Sequence, residues 1–396
     1  MRILFSTTGG TGHLIPLLPF AAACRDAGHE VRIATQRARA PVVERAGFTP
    51  APFDDPPEAA WLAARGEIAR MPMEQANARM TRDVFYGINA RAALPGLLAT
   101  METWAPDVVA FEPAEPAAPL AAERYGIPSV CVTYILAATA SWARPFAAVA
   151  ADALRGAACL EPDPGGERIR ATPSLTATPP SLDAGSDEAA PHRFRTEAAT
   201  DGAPLPDWWP GNRDPLVYVT FGSVASELPP FASLFRDAIA ALTPLRARLL
   251  VTTGKDFDPA SLGPLRPNVR AERWVPQADV LGHAAVMVGH GGYGTTLGAL
   301  AHGVPQAILP LFAIDQHFNA RSVAAAGAGI ALDGAPRMAF QPPGSDLLAA
   351  LPGAVERLLA DASFAAAAGR VAEEMAWLPP VADSVPMLEA LAGARV

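Results

Sequence analysis

Short apolar runs along the chain alternate with amphipathic stretches in two separate blocks, a pattern that predicts strands alternating with helices. In the first block the predicted strands are "RILFST", "HEVRIAT", "DVVAF" and "IPSVCVTY". Between the first two, "LIPLLPFAAACRDAG" places Leu14, Leu17, Leu18 and Ala21 on one face of a predicted helix. The segment from about 50 to 90 is predicted to be helical but irregular.

The second block starts near residue 215 and repeats the alternation. Its predicted strands are "LVYVT", "RLLVTT", "NVRAE", "AVMVG", "QAILP" and "GIAL", and its predicted helices cover about 230–242, 294–302 and a segment that begins at Asp315. Two such blocks predict an α/β protein with two doubly wound, Rossmann-like parallel sheets. Ligands of such sheets bind beyond the carboxyl ends of the strands, so we expect the two domains to face each other across a ligand cleft.

The length of 396 residues also favours two domains, because single hydrophobic cores stop growing at about 250–300 residues. Residues 160–214 are rich in Pro, Gly, Ser and Asp, although "ATPSLTATPPSL" could hold a strand. We therefore expect an N-terminal domain over 1–200, a linker over 201–214 and a C-terminal domain over 215–375. A C-terminal helix over 376–396 is expected to return to the N-terminal domain.

Composition narrows the chemistry that the chain can perform. Half of the residues are hydrophobic, and the net charge of −9 argues against nucleic acid or an anionic membrane as the main partner. Lys255 is the only lysine, so no other lysine is present for Schiff-base chemistry or for a GK[ST] phosphate loop. Cys24, Cys131 and Cys159 are scattered and match no metal-binding pattern, so we expect them to be reduced.

No signal peptide and no charge-free apolar run of 18 residues is visible, so we expect a soluble, cytoplasmic protein without stable membrane insertion.

The stretch "GHGGYGTT", Gly289 to Thr296, surrounds His290 with glycines between a predicted strand and a predicted helix. Glycine lets a ligand approach the backbone, and the start of a helix offers unpaired N–H groups and a positive dipole end. The stretch therefore predicts an anion-binding site.

The stretch "GGTGH" at 9–13 follows the first predicted strand and puts His13 at a predicted helix start, where the dipole disfavours the imidazolium and leaves a ring that can accept a proton. The ordinary alternative for His13 is a capping hydrogen bond. The same loop resembles a dinucleotide fingerprint that lacks its third glycine, and Arg37 with Arg39 could hold a 2′-phosphate. An NADP-dependent reductase therefore stays open as an alternative.

Glu112 directly follows the predicted strand "DVVAF". Carboxyl ends of parallel strands share one edge of the sheet, so this carboxylate could hold the His13 ring and stabilise its protonated form. The ordinary alternative is a solvated loop acid.

Three motifs of the second block suit a nucleotide ligand. Ser223 of "TFGS" follows a strand, Trp274 of "RWVPQ" could stack on a base, and Asp315 with Gln316 of "FAIDQ" could bind sugar hydroxyls. Taken singly, Trp274 could equally belong to the core and Asp315 could be a helix cap. The DxD-like "KDFD" at 255–258 lies in a proline-rich turn and is a weak metal motif.

The ordered motifs "RWVPQ", "HGGYGTT" and "GVPQAILPLFAIDQ" resemble the donor-binding signature of GT-B-fold, nucleotide-sugar-dependent glycosyltransferases. The likeness is to the bacterial natural-product branch that glycosylates macrolide, enediyne and aromatic polyketide aglycones, and "GGTGHLIPLLPFA" is similar to the N-terminal signature of the same enzymes. The resemblance covers essentially the whole chain. It implies an acceptor-binding N-terminal domain and a nucleotide-sugar-binding C-terminal domain.

The resemblance also implies a role for each candidate residue. His13 would be the base that deprotonates the acceptor hydroxyl, and Glu112 would be its acidic partner, where many relatives carry Asp. Donor binding is assigned to the residues Gly12, Ser223, Trp274, Val275, His290, Gly292, Gly294, Thr295, Asp315 and Gln316. Acceptor binding is assigned to the apolar residues Met71, Met73, Met80, Phe85, Tyr86, Trp142 and Phe146. Attack opposite the leaving group would invert the anomeric centre, and no metal is expected because dipole and donors stabilise the leaving diphosphate.

The expected partners are a dTDP- or UDP-sugar donor and a bulky apolar aglycone, without a further cofactor and without nucleic acid, in a monomer or a homodimer. Within the same fold a nucleotide-sugar epimerase and a lipid-linked cell-wall transferase stay open. The alternatives from other classes are the NADP-dependent reductase and a non-catalytic partner protein of a transferase, against which the intact His13 and His290 argue.

Overall fold

The computed structural model describes residues 1–183, 190–197, 205–222, 224–255, 257–335 and 337–393. The described residues form two compact units. One is drawn from Met1–Thr178, Gly185–Thr196 and Leu378–Val396, and the other from Pro179–Ala184 and Glu197–Trp377. Neither unit is a single continuous segment, because the last helix of the chain packs with the first unit and the short segment Pro179–Ala184 belongs to the second.

Within the described residues, the first unit contains a seven-stranded, entirely parallel sheet in the order β3-β2-β1-β4-β5-β6-β7. Its strands are β1 Arg2–Ser6, β2 Glu30–Gln36, β3 Thr49–Phe53, β4 Val108–Phe111, β5 Ser129–Thr133, β6 Ser174–Thr176 and β7 His192–Arg193. The second unit contains a six-stranded parallel sheet in the order β10-β9-β8-β11-β12-β13. Its strands are β8 Leu216–Thr220, β9 Arg248–Thr252, β10 Val269–Glu272, β11 Val286–Gly289, β12 Gln306–Ile308 and β13 Gly329–Ala331.

Helices connect the parallel strands. The α-helices are α1 Thr11–Leu14, α2 Leu18–Asp26, α3 Ala40–Arg45, α4 Glu58–Ile68, α5 Met73–Arg79, α6 Ala90–Thr103, α7 Ala117–Arg124, α8 Ala137–Arg155, α9 Glu167–Arg170, α10 Leu234–Leu242, α11 Gln277–Leu281, α12 Tyr293–Ala301, α13 Ile314–Ala325, α14 Ser345–Ala360, α15 Ala362–Trp377 and α16 Val385–Gly393. The segment Met80–Asn89 joins α5 to α6 with wide π-helical turns. No helix among the described residues is long and apolar enough to cross a membrane.

Both faces of the first sheet are buried, which explains why its strands read as continuous apolar runs. Successive residues of β1 point to opposite faces: Ile3 and Phe5 pack in the cluster that contains Phe20 of α2, and Leu4 packs in the cluster that contains Leu97 of α6. All three β1 side chains are fully buried. The sheet is therefore the middle layer of three.

In both sheets the strand order reverses once, between β1 and β4 in the first and between β8 and β11 in the second. Open α/β sheets bind ligands just beyond the carboxyl ends of the strands at such a switch point. The ends are level with each other, since Ser6 pairs with Phe111 and Thr220 pairs with Gly289. The residues that follow these four positions are therefore the ones that can form sites.

The predicted fold class, α/β with two doubly wound Rossmann-like sheets, is confirmed. One local expectation was wrong: the segment assigned to helix from about residue 50 begins with strand β3. Its two prolines cannot donate ladder hydrogen bonds, and β3 tolerates them because it lies at the edge of the sheet with β2 as its sole partner there.

Candidate active site

His13 lies in the short helix α1, seven residues beyond the end of β1. Its ring is 21% exposed, so it is held by the protein while one edge can still meet a substrate. The close approach of the ring to the backbone requires glycine at position 10, because a Cβ there would lie 2.6 Å from His13 Cδ2. Gly12 is exposed, with open space around its Cα.

Glu112 directly follows β4 and is fully buried. Its carboxylate accepts hydrogen bonds from the backbone N–H of Thr8 at 3.0 Å and of Ala114 at 2.6 Å. Its Oε1 lies 3.3 Å from His13 Nδ1. The alternative of a solvated loop acid is therefore wrong, because buried backbone donors fix this carboxylate beside the imidazole.

A third side chain completes this group. Tyr134 follows β5, the neighbour of β4, and its hydroxyl oxygen lies 2.6 Å from His13 Nδ1. The same hydroxyl donates to Glu112 Oε2 at 3.1 Å. We call His13, Glu112 and Tyr134 the His13 cluster. Tyr134 was not predicted from the sequence, although the rule that identified Glu112, a polar group at the carboxyl end of a buried strand, points to it equally.

The hydrogen bonds of the His13 cluster favour one tautomer of the imidazole. The Tyr134 hydroxyl donates a hydrogen bond to Glu112, so in its contact with His13 the hydroxyl oxygen accepts a hydrogen bond from Nδ1–H. Among the described residues no hydrogen bond engages His13 Nε2. The ring is thus arranged with a protonated Nδ1 toward the carboxylate and an unprotonated Nε2 that can take up a proton, as in a histidine held by a carboxylate in a catalytic triad.

The apolar residues predicted to bind an acceptor divide into two groups. Met73 and Tyr86 are buried core side chains, and the Tyr86 hydroxyl donates to the Pro113 carbonyl at 2.9 Å. The remaining five are half-buried, namely Met71, Met80, Phe85, Trp142 and Phe146. The Phe85 ring lies 5.4 Å from the His13 ring, between ring centroids. An apolar side chain therefore borders the His13 cluster.

In the second unit, the ring of His290 lies against two glycines. A Cβ on Gly222 would lie 2.7 Å from His290 Cε1, and a Cβ on Gly292 would lie 2.4 Å from His290 Nε2. Burial lowers the pKa of His290 to about 4, so the imidazole is neutral near pH 7. Nδ1 is buried without a hydrogen-bond partner among the described residues, and the Nε2 side of the ring is the side that lies against Gly292.

The loop from His290 to Gly292 leads directly into α12. Gly291 needs to be glycine for two reasons: its φ is +86°, and a Cβ would lie 2.7 Å from the Gln316 carbonyl oxygen. Asn319 of α13 donates from Nδ2 to the Gly291 carbonyl at 2.7 Å. The first N–H groups of α12 have no partner within the helix, so the start of α12, with exposed Gly294 and half-buried Thr295, has the chemistry of an anion site.

The other predicted donor residues differ in their surroundings. Trp274 is 57% exposed, so the alternative that it is a core residue is wrong, whereas the neighbouring Val275 packs against the core. Asp315 is half-buried in the first turn of α13. Gln316 is buried and its Oε1 accepts from the backbone N–H groups of Leu311 and Phe312, at 2.7 and 3.2 Å, so this oxygen fixes the loop before α13. Ser223 lies outside the described residues.

The sequence analysis also missed Gly222 and Asn319, which shape the surroundings of His290. The signal in the sequence for Gly222 is a glycine just after the predicted strand "LVYVT", and in the structure its φ is +75°. Within the part of the chain that the structure describes, no three His, Cys, Asp or Glu side chains are grouped as metal ligands. The DxD-like stretch at 255–258 includes residue 256, which is not described.

Comparison with protein families gives a match in each half of the chain. The N-terminal domain model described as "Erythromycin biosynthesis protein CIII-like" matches residues 22–215. The C-terminal domain model of the same description matches residues 238–391. The two matches together cover well over half of the chain.

Individual proteins are similar over nearly the full length. An L-demethylnoviosyl transferase of Streptomyces niveus is 34% identical over 385 residues, which cover 96% of this chain and 95% of the relative. The crystal structure of the glycosyltransferase SnogD of Streptomyces nogalater matches with a TM-score of 0.73 at 31% identity, covering 99% of each chain. The glycosyltransferase VinC, solved in complex with dTDP, matches with a TM-score of 0.77 at 26% identity, covering 99% of this chain and 100% of the other.

Proposed function

Since the chain belongs to the erythromycin biosynthesis protein CIII-like family and is a glycosyltransferase of natural-product biosynthesis, we propose that it moves a sugar from a dTDP-sugar to a hydroxyl of a bulky apolar acceptor. The predicted family, GT-B fold class and enzyme class are confirmed. Four points are proposed beyond these: the dTDP donor, the bulky apolar acceptor, inversion at the anomeric carbon, and catalysis without a metal ion.

The observation that carries the proposal is the geometry of His13. Its Nδ1 is held by Tyr134 and Glu112, and its Nε2 is engaged by no described residue. In the proposed step, the acceptor hydroxyl gives its proton to Nε2 while its oxygen bonds to the anomeric carbon. The bond from that carbon to the diphosphate breaks, and its electron pair goes to the phosphate oxygen. Glu112 stabilises the imidazolium that forms, and attack from the face opposite the diphosphate inverts the configuration.

The donor assignment is supported by the surroundings of His290. A neutral His290 can donate from Nε2–H to a phosphate oxygen, next to the first N–H groups of α12, which helix geometry leaves without a partner inside the helix. Both groups stabilise the negative charge that develops on the leaving dTDP, so the reaction needs no metal ion. The exposed indole of Trp274 offers a flat surface for the base. VinC was solved with dTDP, which favours dTDP over UDP.

The role of one donor residue, Gln316, changes from what the motif implied. Gln316 Oε1 is committed to the loop at Leu311 and Phe312, so we assign the sugar hydroxyls to Asp315 and give Gln316 the task of holding that loop. For the acceptor we retain the half-buried Phe85 and Met80 with the other half-buried members of the apolar set. Met73 and Tyr86 then act through packing.

Family membership also decides among the alternatives. The epimerase, the NADP-dependent reductase and the non-catalytic partner protein belong to other classes than the glycosyltransferases that this chain matches along its length. The cell-wall transferase is disfavoured because the relatives that match over the full length act in natural-product biosynthesis.

The test is His13→Ala, assayed with a dTDP-sugar and an unactivated alcohol acceptor. We expect kcat to fall by roughly 10²–10⁴-fold, the usual contribution of a positioned base. The affinity for dTDP, measured by thermal shift, should stay unchanged, because the phosphate and base contacts are assigned to the second unit. The control is His283→Ala, which removes an exposed histidine outside both sites. A His13→Ala enzyme with near-normal kcat refutes the proposed base.

A further inference from the structure

His13 Nδ1 lies closer to the hydroxyl of Tyr134 than to the carboxylate of Glu112. The direct contact between Nδ1 and Glu112 Oε1 is 3.3 Å, slightly beyond the usual range for an N–H···O hydrogen bond. The path through the phenol has one distance of 2.6 Å, from Nδ1 to the hydroxyl oxygen, and one of 3.1 Å, from the hydroxyl oxygen to Glu112 Oε2. The contact with the Tyr134 hydroxyl oxygen is therefore the shorter of the two contacts that His13 Nδ1 makes.

We propose that Tyr134 is a positioning residue of the glycosyltransferase, which selects the reactive tautomer of His13 and links its ring to Glu112. The inference rests on the proposed role of His13 as the base. Tyr134 itself exchanges no proton with the substrate, since its hydroxyl faces Nδ1 and the carboxylate and leaves Nε2 to the acceptor.

The direction of the hydrogen bonds follows from the chemistry of Glu112. This carboxylate is buried and surrounded by donors, the N–H groups of Thr8 and Ala114 among them, so it acts as an acceptor toward the phenol. Toward Nδ1 the phenol oxygen then acts as the acceptor, so Nδ1 carries the proton of this hydrogen bond. A histidine whose Nδ1 carries the proton has a basic Nε2, so the chain of hydrogen bonds sets the tautomer that the reaction needs.

Tyr134 also restrains the plane of the imidazole. Its ring meets the His13 ring edge-on, with centroids 5.2 Å apart and an interplanar angle of 75°. Phe85 contacts the same imidazole at 5.4 Å with a tilt of 60°. Replacing Tyr134 by Phe would keep this ring contact and remove only the hydroxyl, which isolates the hydrogen-bond relay.

Three other titratable groups lie near Glu112 and could affect a pH profile. Burial raises the pKa values of Tyr86 and of the Cys131 thiol, so both stay protonated at working pH. Burial raises the pKa of Glu115, on the α7 side, to about 7. The titration of Glu115 therefore overlaps the pH range of interest. For this reason the pH profile of kcat is also measured in enzymes that carry Glu115→Gln.

The experiment compares wild type with Tyr134→Phe in three measurements. We expect kcat to fall roughly tenfold, the effect of losing one buried hydrogen bond of about 1.4 kcal/mol, while the donor KM changes less than twofold. The acidic limb of the kcat profile should move to lower pH, because the imidazolium loses part of its link to Glu112. ¹⁵N NMR of the histidine rings at pH 9 should show one His13 tautomer, protonated at Nδ1, in wild type and a mixture in the variant. The His13 signals are identified by their loss in His13→Ala.

The control is Tyr218→Phe, which removes another buried phenol hydroxyl, bonded to Thr252 Oγ1 at 2.9 Å in the second unit. It should leave the acidic limb and the His13 tautomer unchanged even if it lowers thermal stability. Wild-type His13 protonated at Nε2 overturns the inference without any variant, and so does a Tyr134→Phe enzyme with an unchanged pH profile and an unchanged tautomer. If His13→Ala retains normal kcat, the proposed function of His13 fails, while the NMR result still decides whether Tyr134 sets the tautomer.

Discussion

Gly292 offers a steric test of the His290 site that needs no change to the histidine itself. The backbone of Gly292 has φ −63° and ψ 140°, which alanine adopts without strain. A Cβ at this position would nevertheless lie 2.4 Å from His290 Nε2 and 2.8 Å from Cε1. Gly292→Ala therefore acts on the position of the imidazole and hardly on the backbone.

The size of the effect follows from these distances. An ordinary Cβ contact begins near 3.4 Å, so the Nε2 edge of the ring must move by about 1 Å. The same edge lies against Gly222, which limits where it can go. A shift of this size lengthens a hydrogen bond from about 2.9 to almost 4 Å and abolishes it. A hydrogen bond to a charged group contributes about 1.5–3 kcal/mol, so we expect kcat/KM for the donor to fall by roughly 10- to 100-fold.

The assay is a double-mutant cycle of Gly292→Ala with His290→Ala, read out as kcat/KM for the dTDP-sugar. If the methyl group acts through the ring, Gly292→Ala should cost little in an enzyme that already lacks the imidazole, and the coupling energy should approach the loss seen in either single variant. The cycle also cancels the small cost of alanine at a helix N-cap. The control is Gly298→Ala, in the same helix, where a Cβ meets neighbours at 3.4 Å or more. Equal losses from Gly292→Ala with and without His290 would refute the steric argument.

Two further predictions concern the buried carboxyl group and the metal. Burial raises the pKa of Glu115 from 4.5 to about 7, so the native state holds more protons than the unfolded state between these pH values, and the free energy of unfolding should fall by up to about 3 kcal/mol as pH rises through this window. Urea unfolding at several pH values should show a smaller fall of the unfolding free energy with pH in Glu115→Gln than in wild type. The same fall in both proteins would contradict this prediction. Turnover should survive EDTA, because His290 and the start of α12 supply the charge stabilisation. Loss of activity on chelation that Mg²⁺ or Mn²⁺ restores would disprove catalysis without a metal.

The sequence alone was sufficient for the fold class, for the six strands of the second sheet and for the central strands of the first. Fully buried parallel strands must be apolar on both faces, so "DVVAF" and "AVMVG" are recognisable without any knowledge of their neighbours. Right-handed crossovers between successive parallel strands limit the possible strand orders to a few arrangements. The edge strand β3 escaped this reasoning because its prolines break the apolar pattern, and the sequence does not reveal that one side of the strand lacks a partner.

The sequence also placed His13 and Glu112 after strands β1 and β4, from which their closeness could be inferred, since the carboxyl ends of parallel strands share an edge. It could not show that Glu112 is fully buried or that it accepts from Thr8 and Ala114, because burial depends on helices distant in the chain. The roles of these residues in the reaction stay predictions that the proposed variants test.

Only the tertiary structure decided which hydrogen-bond partners each side chain has. The phenol of Tyr134 reaches Nδ1 of a histidine 121 positions earlier, and the carboxamide of Gln316 turns inward to hold Leu311 and Phe312. Periodicity fixes which face of a strand or helix a residue occupies, but its rotamer and its partners depend on segments brought together only by folding. For this reason the sequence determined the fold class and most strands and pointed to candidate sites, whereas packing settled the hydrogen bonds that orient His13 and the close contacts of His290 with Gly222 and Gly292.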